Sequence, residues 1–228
     1  MMFNFAPVAQ AEPLKTYMAK TFGWMFLGLA TTFAVMVAAY LSGAVALLLN
    51  YPAMMILLAA ELITVIGLSA RIGKLSIGAA RGMFFLYAVL NGLVFSTYFL
   101  YFNATSLVFA FGVTGLYFGV MALVGYFTKV DLSRLQPILI GGLILLIVFN
   151  LLGMFFGFGG MERLLCFVGV AIFLGFTAYD VQKIKAMHAA YSHDTAMLAR
   201  ASILSALQLY LDFINLFLYI LRLFGNRE

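Results

Sequence analysis

An otherwise apolar stretch from Ile203 to Phe224 carries Ser205, Gln208, Asp212, Asn215, Tyr219 and Arg222, at steps of 3, 4, 3, 4 and 3 residues. Steps of that size put all six on one face of a helix. A single aspartate at the centre of a membrane helix costs about 2.5–3.5 kcal/mol on insertion scales. A helix with such a row turns it toward other helices or a water-filled path. The last helix is therefore expected inside a bundle, with Asp212 the first candidate for chemistry. Two further acids stand in apolar surroundings, Glu61 within Leu57–Ile63 and Asp180 within Phe176–Lys183, and Arg71 closes the second apolar run.

Asp180 and Asp212 belong to consecutive apolar segments and suggest a dyad. At hydrogen-bonding distance two carboxyl groups cannot both ionise cheaply, so they would share one proton. Protonated, the pair bridges two helices. Deprotonated, it repels and loosens them, or attracts a cation. Calcium prefers carboxylate oxygen, so acidic groups along a pore could admit it, and Asp180 and Asp212 are the expected calcium contacts. Distance along the chain complicates the pairing. A hairpin symmetric about His193 leaves the two aspartates about six residues, or roughly 9 Å, out of step. Pairing then needs a turn nearer residue 196 or an irregular link. The other readings stay open: Glu61 as a protonated packing residue or part of an ion path, and Asp180 as an interfacial carboxylate paired with Lys183. His188 and His193 are read as solvent-exposed loop residues, Cys166 as a buried apolar side chain, and Asp194 as the cap of the last helix.

These residues need a membrane to position them. The chain has 228 residues, 65% hydrophobic and 9% charged, too little polar surface for a water-soluble fold. The expected fold is all-α and integral to the membrane: one domain over 1–228, with spans at 22–49, 52–70, 82–102, 105–127, 137–158, 163–186 and 200–224. The polar N-terminal segment and the long apolar run after it argue for a retained first span rather than a cleaved leader. Pro52 and Pro137 suit helix starts. Lys15, Lys20, Arg71, Lys74, Arg81, Lys129, Arg134, Lys183, Lys185 and Arg200 fall on one side, against Arg163, Arg222 and Arg227 on the other. That bias puts the N-terminus in the cytoplasm, explains the net charge of +5 without nucleic acid, and leaves a re-entrant last helix as the alternative to seven full crossings. Gly115–Gly119 and Gly153–Gly157 have the spacing of close helix contacts.

The run Ala206–Phe217, with Leu221–Gly225 after it, closely resembles the C-terminal signature of the Bax inhibitor-1 family, and Tyr179–Ile184 resembles the tyrosine–aspartate segment of its sixth helix. The resemblance covers nearly the whole chain and suggests a bacterial member in the plasma membrane. It implies seven helices with the C-terminal one central and wrapped by the other six. It also implies a pH-sensitive calcium leak gated by Asp180 and Asp212, with Glu61 as the family's acidic residue of the second helix. Arg71 falls near the family's arginine that pairs with the dyad, although one residue out of register.

A pH-sensitive calcium leak channel is accordingly the expected function. Asp180 and Asp212 form its sensor and gate, Glu61 and Asn215 lie on the ion path, and Arg71 modulates the latch. Calcium and protons are the species carried, the bilayer is the solvent, and no cofactor is expected. Two alternatives are a non-transporting regulator acting through a membrane-protein partner such as a protease, and a cation–proton exchanger. An enzyme is not expected. Intramembrane aspartyl proteases also set a Tyr–Asp against a second aspartate, but theirs follows Gly-x-Gly, and Leu209–Tyr210–Leu211 precedes Asp212 here.

Overall fold

The computed structural model describes residues 12–156 and 160–225, so Gly157, Phe158 and Arg227 lie outside the described residues. The described chain forms seven long helices: α1 (Leu14–Leu41), α2 (Tyr51–Arg71), α3 (Ile77–Ser96), α4 (Ala104–Phe127), α5 (Gln136–Phe156), α6 (Glu162–Tyr191) and α7 (Thr195–Phe224). All seven are long and apolar enough to cross a membrane. At 30 residues, α7 is roughly 45 Å long at 1.5 Å per residue, which suits a full crossing rather than a re-entrant loop.

Local chemistry sets the ends. Asp194 Oδ1 accepts the Met197 N–H at 2.8 Å, so α7 starts five residues before the expected 200. Asn103 and Ser76 cap α4 and α3 in the same way, and Pro52 lies in the first turn of α2. The expected first span, 22–49, is displaced. The helix begins directly after Pro13 and takes in Lys15 and Lys20, then stops at Leu41 because Gly43 adopts φ 74°. A single turn, Val45–Leu48, follows. Hydropathy missed this break because every residue across it is small or apolar. The 191 end of α6 brings His188 into a helix rather than the expected loop. There its Nε2 donates to the Glu12 carbonyl at 2.6 Å, part-buried against the Tyr17 ring.

The helices pack as two groups of three with α7 between them. α1 lies on α3, and α2 covers α3. On the other side α6 receives both α4 and α5. Two-thirds of the most apolar window of α7 is buried (67%), against 6% for α5. The expectation of six helices around one is therefore modified. α1, α3, α4 and α6 form the direct shell, while α2 and α5 sit mainly on the outside, facing lipid with bare aliphatic side chains.

Hydroxyl pairs join α1 to α7. Thr21 and Ser202 are 2.9 Å apart, and Thr32 Oγ1 lies 2.7 Å from the Tyr210 hydroxyl. Interhelical hydrogen bonds of this kind contribute about 0.6 kcal/mol on average in membranes. The second group is held more by backbone proximity. A Cβ placed on Gly125 of α4 would fall on the Ala178 carbonyl oxygen of α6. Gly115 and Gly119 face open space, so that pair is not the contact its spacing suggested. Below Gly125, the segment after α4 is strapped to α6. Gln182 accepts the Leu132 N–H and donates to the Val130 carbonyl, both at 2.8 Å, and Lys185 Nζ donates to the Tyr126 carbonyl at 2.7 Å. Gly125→Ala is expected to destabilise the protein by about 1–3 kcal/mol, as overpacking does, with Gly119→Ala near neutral. Thermal unfolding in detergent checks both.

Candidate functional site

α6 and α7 are joined by three residues, Ser192–Asp194, yet their contacts are not centred on that turn. Met187 meets Ser205, with Sδ and Oγ 3.4 Å apart, and Phe173 stacks on Tyr219 with ring centroids 5.9 Å apart. Asp180 meets Asp212. All three pairs are symmetric about Ala196. The first turns of α7 therefore lie beyond the end of the α6 contact, where Leu198 is buried and Arg200 donates to the Gly73 carbonyl at 3.1 Å. The extended Asp194 (φ −123°, ψ 96°) belongs to the link that takes up the offset.

In this register Asp180 and Asp212 fall opposite each other and interact electrostatically. They are 7% and 5% exposed, and Asp212 Oδ2 is buried without a hydrogen-bond partner. A hydrogen bond between two carboxyl groups requires that one of them hold a proton. Asp180 makes no ion pair within 4.0 Å among the described residues. Lys183, its suggested partner, lies over the Tyr179 ring instead, 5.9 Å from the centroid, and acts on both carboxyls at longer range.

Below Asp212 the polar row opens into a cleft. Asn215, Tyr219 and Arg222 of α7 face Asn150 of α5 across about 280 Å³, closed by Ile147, Leu151 and Leu218. Asn215 donates to the Leu211 carbonyl at 2.8 Å, and Asn150 to that of Leu146 at 2.7 Å, with Asn150 also facing the Tyr219 hydroxyl. The row is thus buried at Ser205 and Asp212, partly open at Gln208, Asn215 and Tyr219, and exposed at Arg222. This agrees with the expectation that α7 hides its polar face from lipid.

Glu61 and Arg71 are not brought to the pair. Glu61 sits on α2 beside Tyr87 and Tyr210, with Oε1 buried and unpartnered. Tyr210 is two residues before Asp212 and so points about 200° away around α7. Glu61 and the dyad flank the central helix on opposite sides. Arg71 is exposed on the last turn of α2, an outer helix, and makes no ion pair among the described residues. The second polar cluster, in which Tyr210 meets Thr32 and Thr32 donates to the Ala88 carbonyl at 2.9 Å, escaped the sequence reading. Its signal was available. Thr21 and Thr32 lie eleven residues apart, three turns along one face of α1.

Among the described residues no group of three or more His, Cys, Asp or Glu side chains is placed to hold a metal ion. Calcium takes six to eight oxygen ligands, so at Asp180 and Asp212 water and amide oxygens would have to complete the shell.

A bundle of seven crossing helices with a titratable pair at its centre defines an integral, multi-pass membrane protein. The model of the family described as inhibitor of apoptosis-promoting Bax1 matches residues 14–228, and the chain belongs to this family, the Bax inhibitor-1 family, as a bacterial-type member. It is 43% identical over 218 residues to the inner membrane protein YbhL of Escherichia coli K12, covering 94% of this chain and 93% of that protein. It is 37% identical over 214 residues to an uncharacterized protein of Borreliella burgdorferi, covering 93% and 92%. A third relative, an uncharacterized protein of Deinococcus radiodurans, is 34% identical over 219 residues, with 95% and 93% covered.

Asp212→Asn keeps a donor and an acceptor against Asp180 and is expected to leave unfolding nearly unchanged. Asp212→Leu strands the Asp180 carboxyl and is expected to cost about 1–3 kcal/mol. Thermal unfolding of the purified variants in detergent separates the two.

Proposed function

We propose that the protein is a pH-sensitive calcium leak channel, acting by passive conduction rather than catalysis. The observation that carries this reading is the contact of two buried carboxyl groups on consecutive membrane helices, one turn above a polar cleft. With a proton shared, the pair ties α6 to α7 and closes the path. When the pH rises and that proton leaves, two like charges face each other in a poorly screened site. At 4 Å and an effective dielectric constant near 20 their repulsion is about 4 kcal/mol, more than the few tenths to 1.7 kcal/mol of the interhelical hydrogen bonds that oppose it. Separation of α6 from α7 exposes carboxylate oxygen to the cleft, and Asn215 and Asn150 carry a calcium ion toward it.

Basic residues from four segments gather at one end of the bundle, tied together by His188–Glu12, Arg200–Gly73 and Lys185–Tyr126. By the positive-inside rule that end is cytoplasmic, and the cleft opens from the opposite side. Glu61, across α7, acts in this scheme as a separate acid site rather than as a step next to the pair. Lys183 takes the modulating role expected of Arg71, because it is the cation whose charge reaches both carboxyls.

Calcium uptake into proteoliposomes over a pH series tests the reading. Flux is expected to rise with pH in the wild type and to lose that dependence in Asp180→Asn and Asp212→Asn. No flux above empty liposomes from folded protein at any pH overturns the channel and leaves a regulator acting through a partner. In the same assay Lys183→Gln is expected to move the pH midpoint, while Arg71→Gln leaves it in place.

A further inference from the structure

At the basic end α1, α3 and the first turns of α7 enclose a second cleft, of about 300 Å³, whose lining includes Lys20, Gly23, Trp24, Leu27, Arg81 and Ser202. The Arg81 guanidinium carbon lies 4.7 Å from the centroid of the Trp24 ring, and that ring meets Phe85 edge-on with centroids 6.1 Å apart. Tryptophan settles at the boundary between headgroups and acyl chains, so this stack holds a guanidinium at headgroup depth. Arg81 is exposed and has no ion pair among the described residues. Lys20, one turn nearer the helix start, is offset by Glu12 at 2.6 Å while its side chain remains 57% exposed. The cleft thus holds one uncompensated positive charge, carried by a planar fork suited to phosphate. Below the fork, Leu27 of α1 is 52% exposed and continues the wall to acyl-chain depth.

We propose that this cleft binds an anionic phospholipid of the leaflet at the basic end, with its phosphate on Arg81 and Lys20 and its first acyl carbons along Leu27. A single negative headgroup matches the single free charge. A zwitterionic choline headgroup would bring its own cation against Arg81.

The chain has one tryptophan, so its fluorescence reports from this cleft alone. The full-length protein is reconstituted in mixed vesicles with bromine on the acyl chains of either phosphatidylglycerol or phosphatidylcholine, the other lipid being unlabelled. Brominated phosphatidylglycerol is expected to quench Trp24 more strongly than brominated phosphatidylcholine at equal mole fraction. The preference is expected to vanish in Arg81→Gln and to persist in Arg134→Gln, a basic-end control in the segment after α4. Equal quenching by both lipids in the wild type overturns the site, as does a preference that survives Arg81→Gln. A preference removed equally by Arg134→Gln reduces the effect to bulk charge and overturns it too.

Discussion

The fold turns on the inability of two aspartates to face lipid. Asp180 and Asp212 each stand in an apolar helix, and the least costly way to bury both is against each other with a proton between them. That pairing shares the register of α6 on α7 with Met187–Ser205 and Phe173–Tyr219, symmetric about Ala196, and the extended link at Asp194 accommodates it. Once α7 is committed to α6 along its polar face, its remaining faces need cover. α1, α3 and α4 supply it, and the bundle closes around α7.

The central helix is consequently polar on two sides at one depth. On one side lies the carboxyl pair. On the other, Tyr210 is gripped by Thr32 and neighbours Glu61 and Tyr87. The two sides are bonded differently. α1 holds α7 through neutral hydroxyl contacts and α3 through aromatic ones, while α6 meets it at the aspartates.

Much of this was legible in the sequence, and the gaps have physical causes. Spacing along Ser205–Arg222 identified the hidden face of α7, because a polar row in an apolar helix has few places to go. Pairing of Asp180 with Asp212 was visible as a possibility, but an ideal hairpin placed them out of step; three link residues absorb the difference, and no hydropathy pattern encodes the path of a link. Glu61 falls midway along α2, while its side of the bundle depended on the rotation of α2 about its own axis, which a nearly uniform apolar helix does not reveal. Arg71 was placed near the pair by resemblance, and the outer position of α2 leaves it in solvent. The start of α1 was missed because Lys15 and Lys20 look like a polar leader, although long cationic side chains reach water from within a helix.

The Gly125–Ala178 approach and the Gln182 strap bear on how fast the proposed gate would move. They weld α4, the segment after it and α6 into one body, on which α5 also rests. Asp180 cannot swing away from Asp212 as a side chain on a mobile loop would; three helices must travel with it through the lipid. Collective motions of that size belong to the microsecond-to-millisecond range. In the proposed channel, proton arrival would then not set the pace. The viscosity of the surrounding membrane would, making the composition and temperature of the bilayer kinetic inputs.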